Sequence, residues 1–286
     1  MKNLGLLANT TKPRAAEILT RIGEKAAELG LSLVACEETA RLLANAKPLP
    51  ESKLCERIDA LLALGGDGTM LRAVRLLDGR QTPVMGINIG GLGFLTSVSE
   101  SDIDRALQSL SRGDYTTSTR TIVDCRLRHT NGTEREYRAL NDVVVSSGAS
   151  LRVVTLDVAV DQESVTCYVC DGLVVSTPTG STGHSMSAGG PILHPATQAF
   201  VISPLCPHTL STRPLVVPDT SVLEVRVAES GGDVALSVDG QIGQILGTGD
   251  ALTIKRSPKS ASFVHMKGHS YFSVLRQKLH WRGSSV

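Results

Sequence analysis

Ile58-Asp-Ala-Leu-Leu-Ala-Leu64, Gly65-Gly-Asp-Gly-Thr69, Met70-Leu-Arg-Ala-Val-Arg-Leu-Leu77: these twenty residues decide the fold. The first seven form a short apolar run suited to a buried parallel strand. The last eight return to helical spacing, and a glycine-rich turn joins the two. Upstream, Leu4–Ala8 repeats the strand signal and runs into Thr10-Thr11-Lys12-Pro13, which reads as a capped helix start with an early proline. Ala15, Ile18, Leu19, Ile22, Ala26 and Leu29 then share one helical face, with Gly30 placed to stop the helix and Leu31–Ala35 as the next strand. Downstream, Thr82–Ile89 is a further strand before Gly90-Gly91-Leu92-Gly93-Phe94, and Ser101–Leu110 reads as a helix. Strands alternating with helices predict a Rossmann-like, doubly wound α/β domain whose ligand loops sit at the carboxyl ends of its strands.

The pattern changes near Gly113. From Thr116 to about Ile254 short alternating strands dominate. Leu223, Val225 and Val227 alternate with Glu224 and Arg226, and His129-Thr130-Asn131-Gly132-Thr133 signals a tight primed hairpin turn. The tail from Tyr271 to Trp281 regains helical spacing through Phe272, Leu275 and Leu279. The expected organisation is an α/β domain over 1–113, a β-rich, sandwich-like domain over 114–265, and a tail over 266–286 packing back on the first.

Composition narrows the function classes. The 286 residues suit about two domains, and 41% hydrophobic content allows a sizeable core. No apolar run approaches the ~20 residues of a membrane span. The stretch Met1–Asn9 turns polar too soon for a signal peptide. Lys and Arg (29) nearly balance Asp and Glu (28), and aromatics are 3%, which disfavours a nucleic-acid groove. The expectation is a soluble, cytoplasmic protein with no nucleic-acid or membrane partner. Of six cysteines only Cys167 and Cys170 form a close pair, in a β-like stretch and with no second pair, so they read as small buried thiols.

Gly65-Gly66-Asp67-Gly68-Thr69 is the first chemical signal. Glycines let backbone N–H groups approach an anion, and the following helix adds positive potential, so phosphate is the expected guest. A carboxylate repels phosphate, so Asp67 fits such a loop if it serves Mg²⁺ or accepts a proton from an attacking hydroxyl; the alternative is a helix cap. The Gly-x-x-x-x-Gly-Lys-Ser/Thr form of a P-loop is missing, so a triphosphate is expected against this turn instead. The second signal is Thr177-Pro-Thr-Gly-Ser-Thr-Gly-His-Ser-Met-Ser-Ala-Gly-Gly-Pro191, a tightly turning segment whose hydroxyls suit ribose and phosphate oxygens. His208, His265, His269 and His280 lack metal spacing and read as structural or surface groups, and His194 has no assigned role. Asp239 touches a ligand or shapes its own turn.

Seven motifs occur in order: Gly65–Thr69; Gly86-Ile-Asn88-Ile-Gly90-Gly-Leu-Gly93-Phe94-Leu95-Thr96; Leu140-Asn141-Asp142-Val143; Asp171-Gly172; Thr177–Pro191; Cys206-Pro-His208-Thr-Leu-Ser-Thr-Arg213-Pro214; and Asp239-Gly240-Gln241. The set closely resembles the bacterial NAD kinases over nearly the whole chain. That resemblance implies transfer of the terminal phosphate of ATP to the 2′-hydroxyl of the adenosine ribose of NAD, assisted by a divalent cation such as Mg²⁺. It implies Asp67 as general base within a loop of Gly65, Gly66, Gly68 and Thr69, with Arg72 facing the pyrophosphate. Asn141 and Asp142 would hold the adenosine part, and Asp171 the nicotinamide carboxamide. Thr182, Gly183, His184, Ser185, Met186 and Ser187 would wrap adenine and ribose, and Gln241 would add a contact. By spacing, Arg152 would reach NAD from a neighbouring subunit of a homodimer or homotetramer. Gly183-His184 replaces the relatives' common Ala-Tyr, Asp142 the commoner glutamate, and Val169 an arginine or glycine found in some. A lipid kinase sharing the Gly-Gly-Asp-Gly-Thr loop and a non-catalytic NAD-binding regulator are the competing expectations.

Overall fold

The computed structural model describes residues 1–43, 45–91, 93–148 and 153–281. The chain opens with β1 (Asn3–Ala8), α1 (Ala15–Glu28), β2 (Ser32–Cys36), α2 (Glu37–Ala40), β3 (Lys47–Leu49) and α3 (Glu51–Leu54). There follow β4 (Ala60–Gly65), α4 (Asp67–Leu77), β5 (Val84–Asn88) and α5 (Ile103–Arg112). Next come β6 (Tyr115–Arg128), β7 (Glu134–Ala139), β8 (Asp142–Ser147), β9 (Val154–Val160), β10 (Glu163–Cys170) and β11 (Gly172–Ser176). After the one-turn α6 (His184–Ser187), β12 (Ala199–Leu205), β13 (Leu215–Pro218), β14 (Leu223–Ser230), β15 (Val234–Val238), β16 (Ile242–Leu246), β17 (Ala251–Met266) and α7 (Tyr271–Lys278) complete it.

The chain forms two compact units: Met1–Thr119 with Ala261–Val286, and Arg120–Ser260. The expected edges, 113/114 and 265/266, mark where sequence periodicity changes. The observed divisions fall inside β6 and β17, strands of 14 and 16 residues that run from one unit into the other.

In the first unit the strand order is β3-β2-β1-β4-β5, all parallel, with Phe263 of β17 pairing Val84 of β5. Period-2 alternation sends Leu4, Leu6, Leu62, Leu64, Met85 and Ile87 to one face, where Ile18, Leu19 and Ile22 of α1 and Ala106, Leu107 and Leu110 of α5 cover them. Each such leucine, fully buried, contributes about 1.5–3 kcal/mol. Helix α4 contacts β1, β4 and β5, and Gly86 leaves the space that the Met70 sulfur fills. The order reverses between β1 and β4, so the turn after β4 lies at the switch point of the sheet. Helix α1 begins later than its sequence suggests. Thr10 and Thr11 spend their hydroxyls on Glu38 and Asn9, and Arg14 takes the N-cap position without a side-chain bond.

The second unit is a β-sandwich. One sheet carries β10-β9-β14-β17, with β6 pairing β17 and β7; the other has the order β13-β12-β11-β8-β15-β16. Their inner faces interdigitate through Leu127, Val145, Leu156, Leu173, Phe200, Val225, Leu236 and Ile254. The β6–β7 hairpin differs from the tight primed turn. His129 and Thr133 are backbone-paired, and Gly132 alone in the loop takes positive φ (84°), giving a three-residue loop; Asn131 bonds the Thr133 N–H instead of entering that region. Cys167 and Cys170 also differ from the buried pair expected: three residues apart on β10 they face opposite ways, Cys170 inward and Cys167 to solvent, and Cys206 is exposed as well.

Candidate active site

In the first unit the parallel register pairs Gly65, the last residue of β4, with Asn88, the last of β5. The turns that follow the two strands are therefore neighbours. Gly65 is packed so closely that a Cβ would run into the Thr69 side chain. Helix α4 starts at Asp67, with Gly66 as N-cap and no side-chain cap bond. The Asp67 carboxylate reaches across to the turn after β5: Oδ2 accepts the Phe94 N–H at 3.0 Å and Oδ1 the Leu95 N–H at 2.9 Å. A Cβ on Gly93 would collide with Oδ1. Each carboxylate oxygen has about two acceptor positions, so two bonds orient the group and leave capacity for a hydroxyl. Arg72, one turn on, is held by Glu51 (3.0 Å) and by Glu38 (3.6 Å).

In the second unit β8 pairs antiparallel with both β11 and β15, matching Asp142 to Ser176 and Val143 to Val238. The start of β8 and the ends of β11 and β15 thus share one end of the sheet, which assembles Asn141, Asp142, Thr177 and Asp239 from three distant stretches. Asp239 shapes this end. Its carboxylate accepts the N–H groups of Leu140 (2.9 Å), Asn141 (2.7 Å) and Asp142 (3.2 Å), and its own N–H returns to the Asp142 carbonyl. Burial, and then the charge of Asp239, push the Asp142 carboxyl up to about 7. Gly180 lies against the Asn141 backbone, where any Cβ would overlap the carbonyl. The Asn141 side-chain oxygen is buried with no hydrogen-bond partner among the described residues.

The hydroxyl-rich segment is built differently from its sequence reading. Thr177, Ser181 and Ser185 point inward: Thr177 Oγ1 donates to the Leu140 carbonyl, Ser181 Oγ accepts the Leu193 N–H, and Ser185 Oγ meets Ser203 Oγ at 3.0 Å. Thr182 is buried, Met186 is half-buried, and Gly183, His184 and Ser187 form the exposed rim. Gln241 is exposed in the turn after Asp239. Asp171 precedes β11, at the opposite end of that strand from Thr177 and about 17 Å from Ser176 at ~3.3 Å per residue. Its hydrogen bond with Cys206, and then its charge, hold that exposed thiol above the usual range. Arg152 lies outside the described residues. Phe94 and Leu95 were legible as part of a motif, but only the adjacency of β4 and β5 shows which carboxylate their N–H groups meet.

Residues 4–115 match the ATP-NAD kinase N-terminal domain and residues 140–266 the ATP-NAD kinase C-terminal domain. These matches place the chain in the class of two-domain nucleotide kinases. The NAD kinase of Geotalea daltonii is 38% identical over 98% of this chain and 99% of its own length, and that of Gemmatimonas aurantiaca 43% identical over 80% and 79%. A crystal structure of yeast NADH kinase complexed with NADH superposes with a TM-score of 0.91 at 26% identity, covering 100% of this chain and 89% of the other. An NAD kinase from Archaeoglobus fulgidus in complex with ATP gives 0.77 at 26% identity, covering 98% and 100%. The chain belongs to the NAD kinase family and is an enzyme of that kind. Neither a lipid kinase nor a non-catalytic regulator fits these relatives. No described helix is long and apolar enough to cross a membrane.

Proposed function

We propose that the enzyme transfers the terminal phosphate of ATP to the 2′-hydroxyl of the adenosine ribose of NAD, with Asp67 as general base. The 2′-oxygen forms a bond to the terminal phosphorus, its proton passes to the Asp67 carboxylate, and the bond to the bridging oxygen breaks to release ADP. The observation that carries this reading is the Asp67 carboxylate, turned from its own helix and held by the Phe94 and Leu95 N–H groups. A ribose hydroxyl is scarcely ionised near neutrality, and an oriented base contributes typically ~10²–10⁴-fold. The remaining acceleration is assigned to alignment and to the backbone donors of the Gly65–Gly68 turn.

The substrate-binding roles follow the family motifs. Asn141 and Asp142 hold the adenosine part, Thr182, Gly183, His184, Met186, Ser187 and Gln241 line it with Ser185 bracing the segment from within, and Asp171 accepts a hydrogen bond from the nicotinamide carboxamide. Arg72 meets the pyrophosphate after exchanging its carboxylate partners. The divalent cation, Mg²⁺ in this reading, belongs to the triphosphate substrate, held by phosphate oxygens and water; among the described residues no three His, Cys, Asp or Glu side chains converge to cage one. A cytoplasmic enzyme, assembled as a dimer or tetramer in which Arg152 reaches a neighbour's NAD, completes the proposal.

The deciding experiment is Asp67→Asn, assayed by coupling NADP formation to an NADP-specific dehydrogenase. Turnover should fall by at least ~10²-fold while NAD still binds within a few-fold of the parent. Undiminished turnover would remove Asp67 from the mechanism.

A further inference from the structure

Two N–H donors can fix a carboxylate only if they are themselves fixed. Those of Phe94 and Leu95 sit in a turn that closes on a side chain: Thr96, 1% exposed, accepts the Gly93 N–H on Oγ1 at 3.2 Å. The far end of the turn is tied to β5, because the N–H groups of Ser97 and Val98 both donate to the Gly86 carbonyl, at 3.0 and 3.1 Å. Gly86 makes room for this, since a Cβ there would lie 2.9 Å from the Thr96 Cα. On the near side the Thr96 hydroxyl is the one group among the described residues that bonds Gly93, and Gly93 itself is pressed against Asp67 Oδ1. A chain of contacts thus runs from the sheet through one hydroxyl to the carboxylate.

We propose that Thr96 is a positioning residue for phosphoryl transfer: its hydroxyl folds the Gly93–Thr96 turn so that the Phe94 and Leu95 N–H groups hold Asp67 in a single orientation. The proposal rests on the reading of Asp67 as the base. Without the hydroxyl the buried Gly93 N–H loses its acceptor, the turn relaxes, and the two donors diverge. Sub-ångström errors in a base's placement slow the chemical step without weakening substrate binding.

The test is Thr96→Val, which keeps the shape and deletes the acceptor, beside Thr96→Ser, which restores it. Thr96→Val should lower kcat by about 10-fold or more with KM for NAD and for ATP within about twofold, and Thr96→Ser should recover to within about threefold of the parent. Because Thr96 acts through Asp67, adding Thr96→Val to Asp67→Asn should slow its residual turnover by no more than about twofold. Gly93→Ala, which pushes a methyl at Oδ1 while leaving Thr96 in place, should reproduce the kcat loss and stands in if Thr96→Val does not fold. Parent-like kcat in folded Thr96→Val or Gly93→Ala overturns the proposal. So does equal slowing by Thr96→Val in the presence and absence of Asp67, or a Thr96→Ser as slow as the valine variant. A slow Asp67→Asn beside a full-speed Thr96→Val removes only the positioning role; a full-speed Asp67→Asn removes the base itself.

Discussion

At the residue scale, Asp142 and Asp67 show two carboxylates put to different uses. Asp67 meets backbone donors, whereas Asp142 is buried beside a second carboxylate that has already claimed the local N–H groups. With its carboxyl pushed up to about 7, Asp142 keeps its proton in the folded chain after the unfolded chain has lost it at about 3.8. Between those values the folded state binds more protons, so stability falls as pH rises through the window and stays lower above it. Asp142→Asn should therefore unfold like the parent near pH 4 and be more stable at pH 8, by on the order of 4 kcal/mol. Urea unfolding at the two pH values checks this; a difference that does not change with pH would contradict it.

At the scale of elements, the start of β8 depends on close contact with the loop after β11. Gly180→Ala places a methyl against the Asn141 carbonyl, and since that backbone is tied down by Asp239 and by the Thr177 N–H, it has little room to yield. The expected cost is about 1–3 kcal/mol of overpacking. A raised KM for NAD should accompany it, with kcat changed less, because Asn141 moves and Asp67 does not. Steady-state kinetics with a thermal melt measures both.

At the scale of the whole molecule, the first unit is assembled from the two ends of the sequence. Phe263 and Val264 of β17, each 1% exposed, and Leu275 of α7, 4% exposed, belong to it. At about 1.5–3 kcal/mol each, these three side chains rival the 5–15 kcal/mol that holds an ordinary domain together. A chain of residues 1–119 alone should then lack a cooperative urea transition, and joining 261–281 to it through a flexible linker should restore one. A cooperative transition in 1–119 alone would show that the β17 segment is dispensable.

Local order fixes much of this protein before any contact is considered. The strand, glycine turn and helix around Asp67, the alternation of Leu223–Val227 and the seven ordered motifs are properties of neighbouring residues, so the α/β unit, the β-rich unit and the kinase family are legible in the sequence. Which way a side chain turns is not. Asp67 could cap its helix or leave it, Asp239 could meet a ligand or fold a turn, and Thr177, Ser181 and Ser185 could face out or in. Those choices depend on hydrogen-bond partners 12 to 99 residues away, brought close by the pairing of β4 with β5, of β8 with β11 and β15, and of β11 with β12. A buried polar group must find its partner wherever the folded backbone places one, and only the tertiary structure decides where that is.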